Sequence, residues 1–199
     1  QAALPTTWEA KLTSWTTPLA RQLRALTAQR RALLVVQLGG PVGDRSSFGE
    51  YGDSIAASLA RKLDLGMAEP WHTSRDPIVG LASMLASITG ILGKVGADIA
   101  LLAQTEVGAL KLSGAGGSSA MAHKANPVNA EILVSLARAN AGLAGTMQQA
   151  MVHEYERSGA AWTLEWLTLP PMLINTGASL RLGLKLLGQI SLPENSSAE

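Results

Sequence analysis

The stretch PIVGLASMLASITGILGKVGADIALL, Pro77 to Leu102, decides the architecture. Ile78, Leu85, Leu92 and Ile99 stand seven residues apart, and Leu81, Ile88, Val95 and Leu102 form a second series offset by three. That is the a/d pattern of a helix with one continuous apolar seam. It predicts a single helix over 77–110, on the order of 50 Å long at about 1.5 Å per residue. Such a rod needs helical partners along its length. Gly80, Gly90, Gly93 and Gly96 interrupt it, each at a cost of up to about 1 kcal/mol of helix propensity. Their presence predicts close helix contact at those four positions.

Upstream, Trp8, Leu12, Trp15, Leu19, Leu23, Leu26 and Leu33 predict a helix over 6–34 that Thr6 or Thr7 can cap. The turn chemistry of Gly39-Gly40-Pro41-Val42-Gly43 ends it, and Ile55, Leu59 and Leu63 predict a shorter helix over 52–64. Downstream of a break at 113–125, one helical pattern carries Val128, Ile132, Leu136, Ala139, Leu143, Met147 and Ala150. Another carries Leu173, Leu180, Leu184 and Leu187, with a kink expected at Pro170-Pro171. No stretch alternates at period two, and Leu33 to Leu38 is too short to count as a strand. The expected fold is all-α: one domain over 1–199, a bundle of three long helices with shorter ones beside them. Three rods rarely enclose a core alone, so self-association should complete the bundle.

Composition points the same way. Of 199 residues 47% are hydrophobic and 16% charged, against about 25% charged in an average soluble chain. Much of the exterior is therefore expected to be buried against copies of the same chain. The absence of cysteine excludes thiolate nucleophiles, disulfide frameworks and Cys-based zinc sites. His72, His123 and His153 are the imidazoles present, without a His-Glu-x-x-His pattern, so no metal is expected. A net charge of +1 without Lys/Arg clusters argues against nucleic acid. The uncharged run Pro77 to Gly93 falls just short of the roughly 18 residues a spanning helix needs, and Lys94 and Asp98 follow it, so no membrane is expected either. No secretory signal precedes Gln1, which predicts a cytoplasmic protein with residues missing upstream.

Chemistry concentrates in Ser113-Gly114-Ala115-Gly116-Gly117-Ser118-Ser119-Ala120-Met121-Ala122-His123-Lys124-Ala125-Asn126-Pro127. Glycines leave backbone N–H groups accessible, and Pro127 suits the first turn of a helix. A helix N-terminus carries partial positive charge, to which Lys124 adds a full one, so an anion should be drawn there. A plain Gly/Ser linker has the same composition. The segment is not a Walker loop, because Ala125 follows Lys124.

Gly117 to Pro127 resembles the signature loop of the fumarase/aspartase superfamily, GSSxMPxKxNP, with Ala122 where the family has proline. Three further segments, Asn126 to Glu131, Trp71 to Asp76 and Glu156 to Leu167, resemble the bacterial 3-carboxy-cis,cis-muconate cycloisomerases within it. Adenylosuccinate lyases share the loop but not the Trp162/Trp166 pattern. Gln1 to Trp8 is similar to the family's second active-site region entered in its middle, so the chain reads as the central helical domain, its N-terminal domain apparently missing.

The resemblance implies a cofactor-independent, homotetrameric enzyme acting on 3-carboxy-cis,cis-muconate in protocatechuate breakdown. It implies Ser118 and Lys124 as catalytic, and Ser119, Met121, His123, Asn126, Arg157 and Thr6 as substrate-binding. Other readings stay open from the residues themselves: Thr6 and Thr7 as caps, Arg157 paired with Glu154 or Glu156, and His123 as a surface group. Glu131 reads as structural, and Arg75 as either structural or functional. The alternatives are an adenylosuccinate lyase-like β-eliminating lyase and a non-catalytic helical assembly fragment.

Overall fold

The computed structural model describes residues 4–114, 116–117 and 125–193. Its elements run α1 (Trp8–Leu33), a 3-10 turn (Ser46–Tyr51), α2 (Gly52–Leu63), α3 (Asp76–Leu102), β1 (Lys111–Leu112), β2 (Gly116–Gly117), β3 (Ala125–Asn126), α4 (Val128–Gln149), α5 (Gly159–Leu187) and β4 (Ile190–Ser191). Four helices are long rather than three, since α1 has 26 residues against 27 in α3. The chain divides into two units, 1–19 with 85–142 and 173–199, and 20–84 with 143–172. The long helices contribute to both.

In the first unit the centre of the α3 seam is buried as its spacing predicts: Leu85, Ile88, Leu92, Val95 and Ile99 are all inside. A Cβ on Gly93 would stand 2.5 Å from Ala137 Cβ, and one on Gly96 would stand 2.6 Å from the Ala130 carbonyl oxygen. These two glycines therefore set how closely α3 and α4 approach. Gly90 does not follow them, having open space where a Cβ would go. At 100° per residue it lies about 120° around the helix from Gly96.

The close approach also chooses which face of α4 is buried. Ala130, Leu133 and Asn140 are inside; of the expected apolar stripe, Met147 and Ala150 are buried, whereas Val128 and Ile132 are exposed. On α5, Thr176, Ser179 and Leu186 are buried while Leu173, Leu180, Leu184 and Leu187 face outward. Asn140 Nδ2 donates to Thr176 Oγ1 at 3.1 Å and ties α4 to α5. The large leucines form a second, outer stripe.

Helix α3 ends at Leu102 rather than near 110. The heptad series stops there, and the Leu102 carbonyl accepts from Leu110 N at 3.1 Å as the chain turns back. This helix is long and apolar enough to cross a membrane, but half of that window is buried within the protein, as befits a core helix. Asp98 on it accepts from Trp15 Nε1 at 2.7 Å and from Lys94. Burial pushes its carboxyl up, but the hydrogen bonds from Lys94 and Trp15 and the charges of Lys94 and Lys11 win and hold it below the ordinary aspartate value.

The second unit is pinned by two arginines. Arg45 reaches the carbonyls of Leu38 and Ala68 and the carboxylate of Asp53. Arg75 clamps buried Glu165 through two bonds of 2.7 Å and the Trp71 carbonyl through a third, a bidentate fork that uses up its charge. Arg75 is thus structural. Helix α5 passes through Pro170 and Pro171 without interruption. The carbonyls their missing N–H groups would have met belong to Trp166 and Leu167, both exposed, where water can satisfy them. Val35 makes a single parallel bridge with Gly66, the one trace of strand in the stretch too short to assign from sequence.

Candidate active site

The first unit builds the site. β2 and β3 pair antiparallel, Gly116 with Asn126 and Gly117 with Ala125, so residues 118–124 lead out of one strand and into the other. The approach is close: a Cβ on Gly116 would stand 2.9 Å from Val128 Cγ2. Asn126 is half-buried at the end of this hairpin. Pro127 follows, and its carbonyl accepts from Ala130 N at 2.9 Å and Glu131 N at 3.0 Å, which starts α4. Pro127 therefore caps the helix rather than lying in its first turn. The β2–β3 ladder thus runs into the positive end of a helix, the electrostatic setting for a carboxylate.

Gln189 fixes both flanks of that hairpin. Its carbonyl accepts from Ser113 N at 2.8 Å and Ser113 Oγ at 3.0 Å, and its side-chain oxygen accepts from Asn129 Nδ2 at 2.9 Å. Gly114 has φ of +67°, and a Cβ there would meet Gln189 Nε2 at 2.7 Å. Gln189 carries no motif, and its partners lie up to 76 residues away in sequence, so nothing short of the fold points to it. The pairing of β1 with β4, Lys111 with Ser191 and Leu112 with Ile190, holds the same junction. A cleft of about 720 Å³ opens beside it, lined among others by Glu106, Lys111, Pro127 and Glu131. Glu131 is exposed there rather than packed away.

Ser118, Ser119, Met121, His123 and Lys124, like Ala122, lie outside the described residues. Thr6 lines a separate cavity in the first unit with Lys11 and Leu102. The capping reading goes to its neighbour, since Thr7 Oγ1 accepts from Ala10 N at 3.1 Å. Arg157 belongs to the second unit. Its guanidinium lies 5.1 Å from the centre of the Trp162 ring, and no described carboxylate pairs with it, so the ion pair to Glu154 or Glu156 does not form. The neighbouring Ser158 caps α5, accepting from Ala161 N at 3.2 Å. Hydrogen bonding to Ser158 holds the Glu154 carboxyl below its ordinary range. Trp162 and Trp166 meet edge to face with centroids 6.1 Å apart.

The chain as a whole has known relatives. The chain is 41% identical over 191 residues to the 3-carboxy-cis,cis-muconate cycloisomerase of Pseudomonas aeruginosa and 40% identical over 191 residues to that of Acinetobacter baylyi, covering 94% of this chain in both cases. It superposes on the 3-carboxy-cis,cis-muconate lactonizing enzyme from Pseudomonas putida with a TM-score of 0.89 and 38% identity, over 97% of this chain and 43% of that one. The chain spans about 42% of the length of the curated relatives it matches. A sequence model described as lyase matches residues 1–142. A helical bundle, a two-residue ladder that runs into a helix N-terminus, and a match over most of the chain agree: the chain belongs to the lyase family.

Proposed function

We propose that the protein of which this chain forms part is a 3-carboxy-cis,cis-muconate cycloisomerase. The observation that carries the reading is the β2–β3 pairing at the N-terminus of α4, which sets Gly116–Gly117 and Ala125–Asn126, from the signature segment, beside a positive helix end. The resemblance to cycloisomerases over nearly the whole chain supplies the substrate.

In this reaction one substrate carboxylate oxygen bonds to a carbon of the double bond and closes a five-membered lactone. The π electron pair moves to the adjacent carbon, which takes a proton. Negative charge develops on the carboxylate beside that carbon, so the chief task is to hold this enolate-like species with preorganised donors and cations. Ser118 gives the proton to carbon and recovers one from solvent. A serine hydroxyl is a weak acid near neutrality, and Lys124 and loop N–H groups are the means of lowering its pKa. Lys124 and Asn126 hold one carboxylate, with Ser119, Met121, His123 and Thr6 lining the remainder of the site. Arg157, free of any described carboxylate, offers a bidentate fork to another.

The outward leucines of α5 and the exposed Val128 and Ile132 of α4 support assembly with further copies, most simply into a tetramer, which would cover those stripes.

The test is an ultraviolet assay with 3-carboxy-cis,cis-muconate on this chain and on a form extended at its N-terminus. The extended form should consume the substrate. Ser118→Ala in it should lower turnover by at least about 100-fold, the low end of general acid–base effects. Near-normal turnover removes Ser118 from its role. An extended form that ignores 3-carboxymuconate but cleaves adenylosuccinate overturns the substrate.

A further inference from the structure

The second unit contains a cavity of about 300 Å³ whose wall includes Trp71, Arg75, Arg157 and Trp162 and no carboxylate side chain. Its two arginines differ in one respect. Arg75 is consumed by Glu165, whereas Arg157 has no described acid partner. The Glu154 carboxylate, three residues before it, accepts from Ser158 instead.

The Arg157 side chain is exposed, and an exposed arginine is ordinarily spread over many rotamers that a bound carboxylate must narrow to one. Here both of its ends are held. Next to it in the backbone, Ser158 donates its N–H to His153 Nδ1 at 3.3 Å and opens α5, its hydroxyl accepting from Ala161 N at 3.2 Å and its carbonyl from Trp162 N at 3.1 Å. At the far end the guanidinium carbon stands over the Trp162 ring, 5.1 Å from its centre. That ring is itself braced, because Trp166, one turn along α5, meets it edge to face at 80°.

A ring acts on a guanidinium differently from an acid. A carboxylate would cancel the charge, as Asp53 and Glu165 do for Arg45 and Arg75 in the same unit. An indole face attracts the cation through its quadrupole and carries no net charge, so the arginine is localised with its own charge intact. We infer that Trp162 is a positioning residue, holding the Arg157 guanidinium at the cavity wall, charged and in one place, for a carboxylate of the substrate. The inference deepens the reading above, in which Arg157 grips that carboxylate; Trp162 acts through Arg157 and is not itself a ligand. A cation–ring contact at a partly exposed site favours the held rotamer by about 2- to 5-fold. Apparent affinity for the carboxylate rises by the same factor, because it scales with the fraction already in the binding conformation.

The first measurement is 15Nε relaxation of the arginine side chains in this chain without ligand. Arg157 should be ordered, with an order parameter above about 0.6, whereas Arg24 and Arg31, exposed on α1 and without a described acid partner, should fall below it. In Trp162→Leu, Arg157 should drop to their level, and in Trp162→Phe, which keeps an aromatic face, it should stay ordered. The second is calorimetric binding of propane-1,2,3-tricarboxylate, which cannot lactonise, to the N-terminally extended form. Arg157→Met should weaken binding by at least about 10-fold and Trp162→Leu by about 2- to 5-fold, with Trp162→Phe between Trp162→Leu and the parent. Trp162→Leu added to Arg157→Met should cost nothing more, the non-additivity of a residue that acts through another.

An Arg157 as mobile as Arg24 in the parent overturns the inference, even where Trp162→Leu misfolds. So does a parent that does not bind the tricarboxylate, or a Trp162→Phe no better than Trp162→Leu. Losses that add in the double variant overturn it too, since they would make Trp162 a ligand in its own right. If both measurements come out as expected and the extended form leaves 3-carboxymuconate unconsumed, the assigned reaction falls and the positioning of Arg157 stands.

Discussion

Replacing Gly96 with alanine should destabilise the protein, although helix propensity by itself says the reverse. Alanine is favoured over glycine inside a helix by about 1 kcal/mol. At Gly96 the added methyl would stand 2.6 Å from the Ala130 carbonyl oxygen and 3.0 Å from Leu133 Cβ, where ordinary contact begins at 3.4 Å. Neither neighbour can yield by a rotamer change, since one is backbone and the other a Cβ, and both residues are fully buried. The helices must therefore separate by roughly 0.8 Å, and a gap of that order forfeits a quarter to a half of each van der Waals contact along the seam. Overpacking of this kind costs about 1–3 kcal/mol; less the propensity gain of about 1 kcal/mol, the net loss is up to about 2 kcal/mol. At about 2–4 °C per kcal/mol for a chain of this size, the thermal midpoint should fall by several degrees at most. Gly90→Ala is the control. With nothing within 4 Å of its Cβ position, it should gain about 0.5–1 kcal/mol. Thermal and urea unfolding of the three proteins decide the matter: if Gly96→Ala is as stable as Gly90→Ala, the α3–α4 approach is not set by glycine.

Three further outcomes follow from the packing. Arg75→Met leaves the Glu165 carboxylate buried without its partner and should cost about 3–5 kcal/mol in urea unfolding, with most of it recovered in the double variant Arg75→Met/Glu165→Leu; a single-variant loss below about 1 kcal/mol would remove the clamp from the fold's support. Asp98 has a folded pKa below its ordinary 3.8, so the stability it contributes is fully present above that value and is lost as pH falls through the lower, folded value. The acid limb of a stability–pH profile should therefore be shallower in Asp98→Asn, and an unchanged limb contradicts the assignment. Ser158→Ala removes the α5 cap and should lower stability by about 1 kcal/mol, while Ser158→Asp, which also caps, should not; equal midpoints for the two would show that the Ser158 hydroxyl does not cap α5.

Much of this protein is set by local chemistry and was readable as such. The heptad spacing of Leu85, Ile88, Leu92, Val95 and Ile99 fixes a buried helix because period and burial are linked one residue at a time, and these five are buried. The signature segment and its glycines lie within fifteen consecutive residues, so their chemistry is visible without a fold. Tertiary structure decided whatever depends on which surfaces meet. On α4 the expected stripe is buried at Met147 and Ala150 but not at Val128 and Ile132, because the approach allowed by Gly93 and Gly96 sets Ala130, Leu133 and Ala137 against α3. On α5 the buried face carries Thr176 and Ser179, which no apolar spacing marks. Arg75, open to either reading in sequence, is drawn into the fold by Glu165, 90 positions away and 2.7 Å from it. Gln189 acquires its meaning in the same way, through Ser113 and Asn129, neighbours that no spacing along the chain encodes.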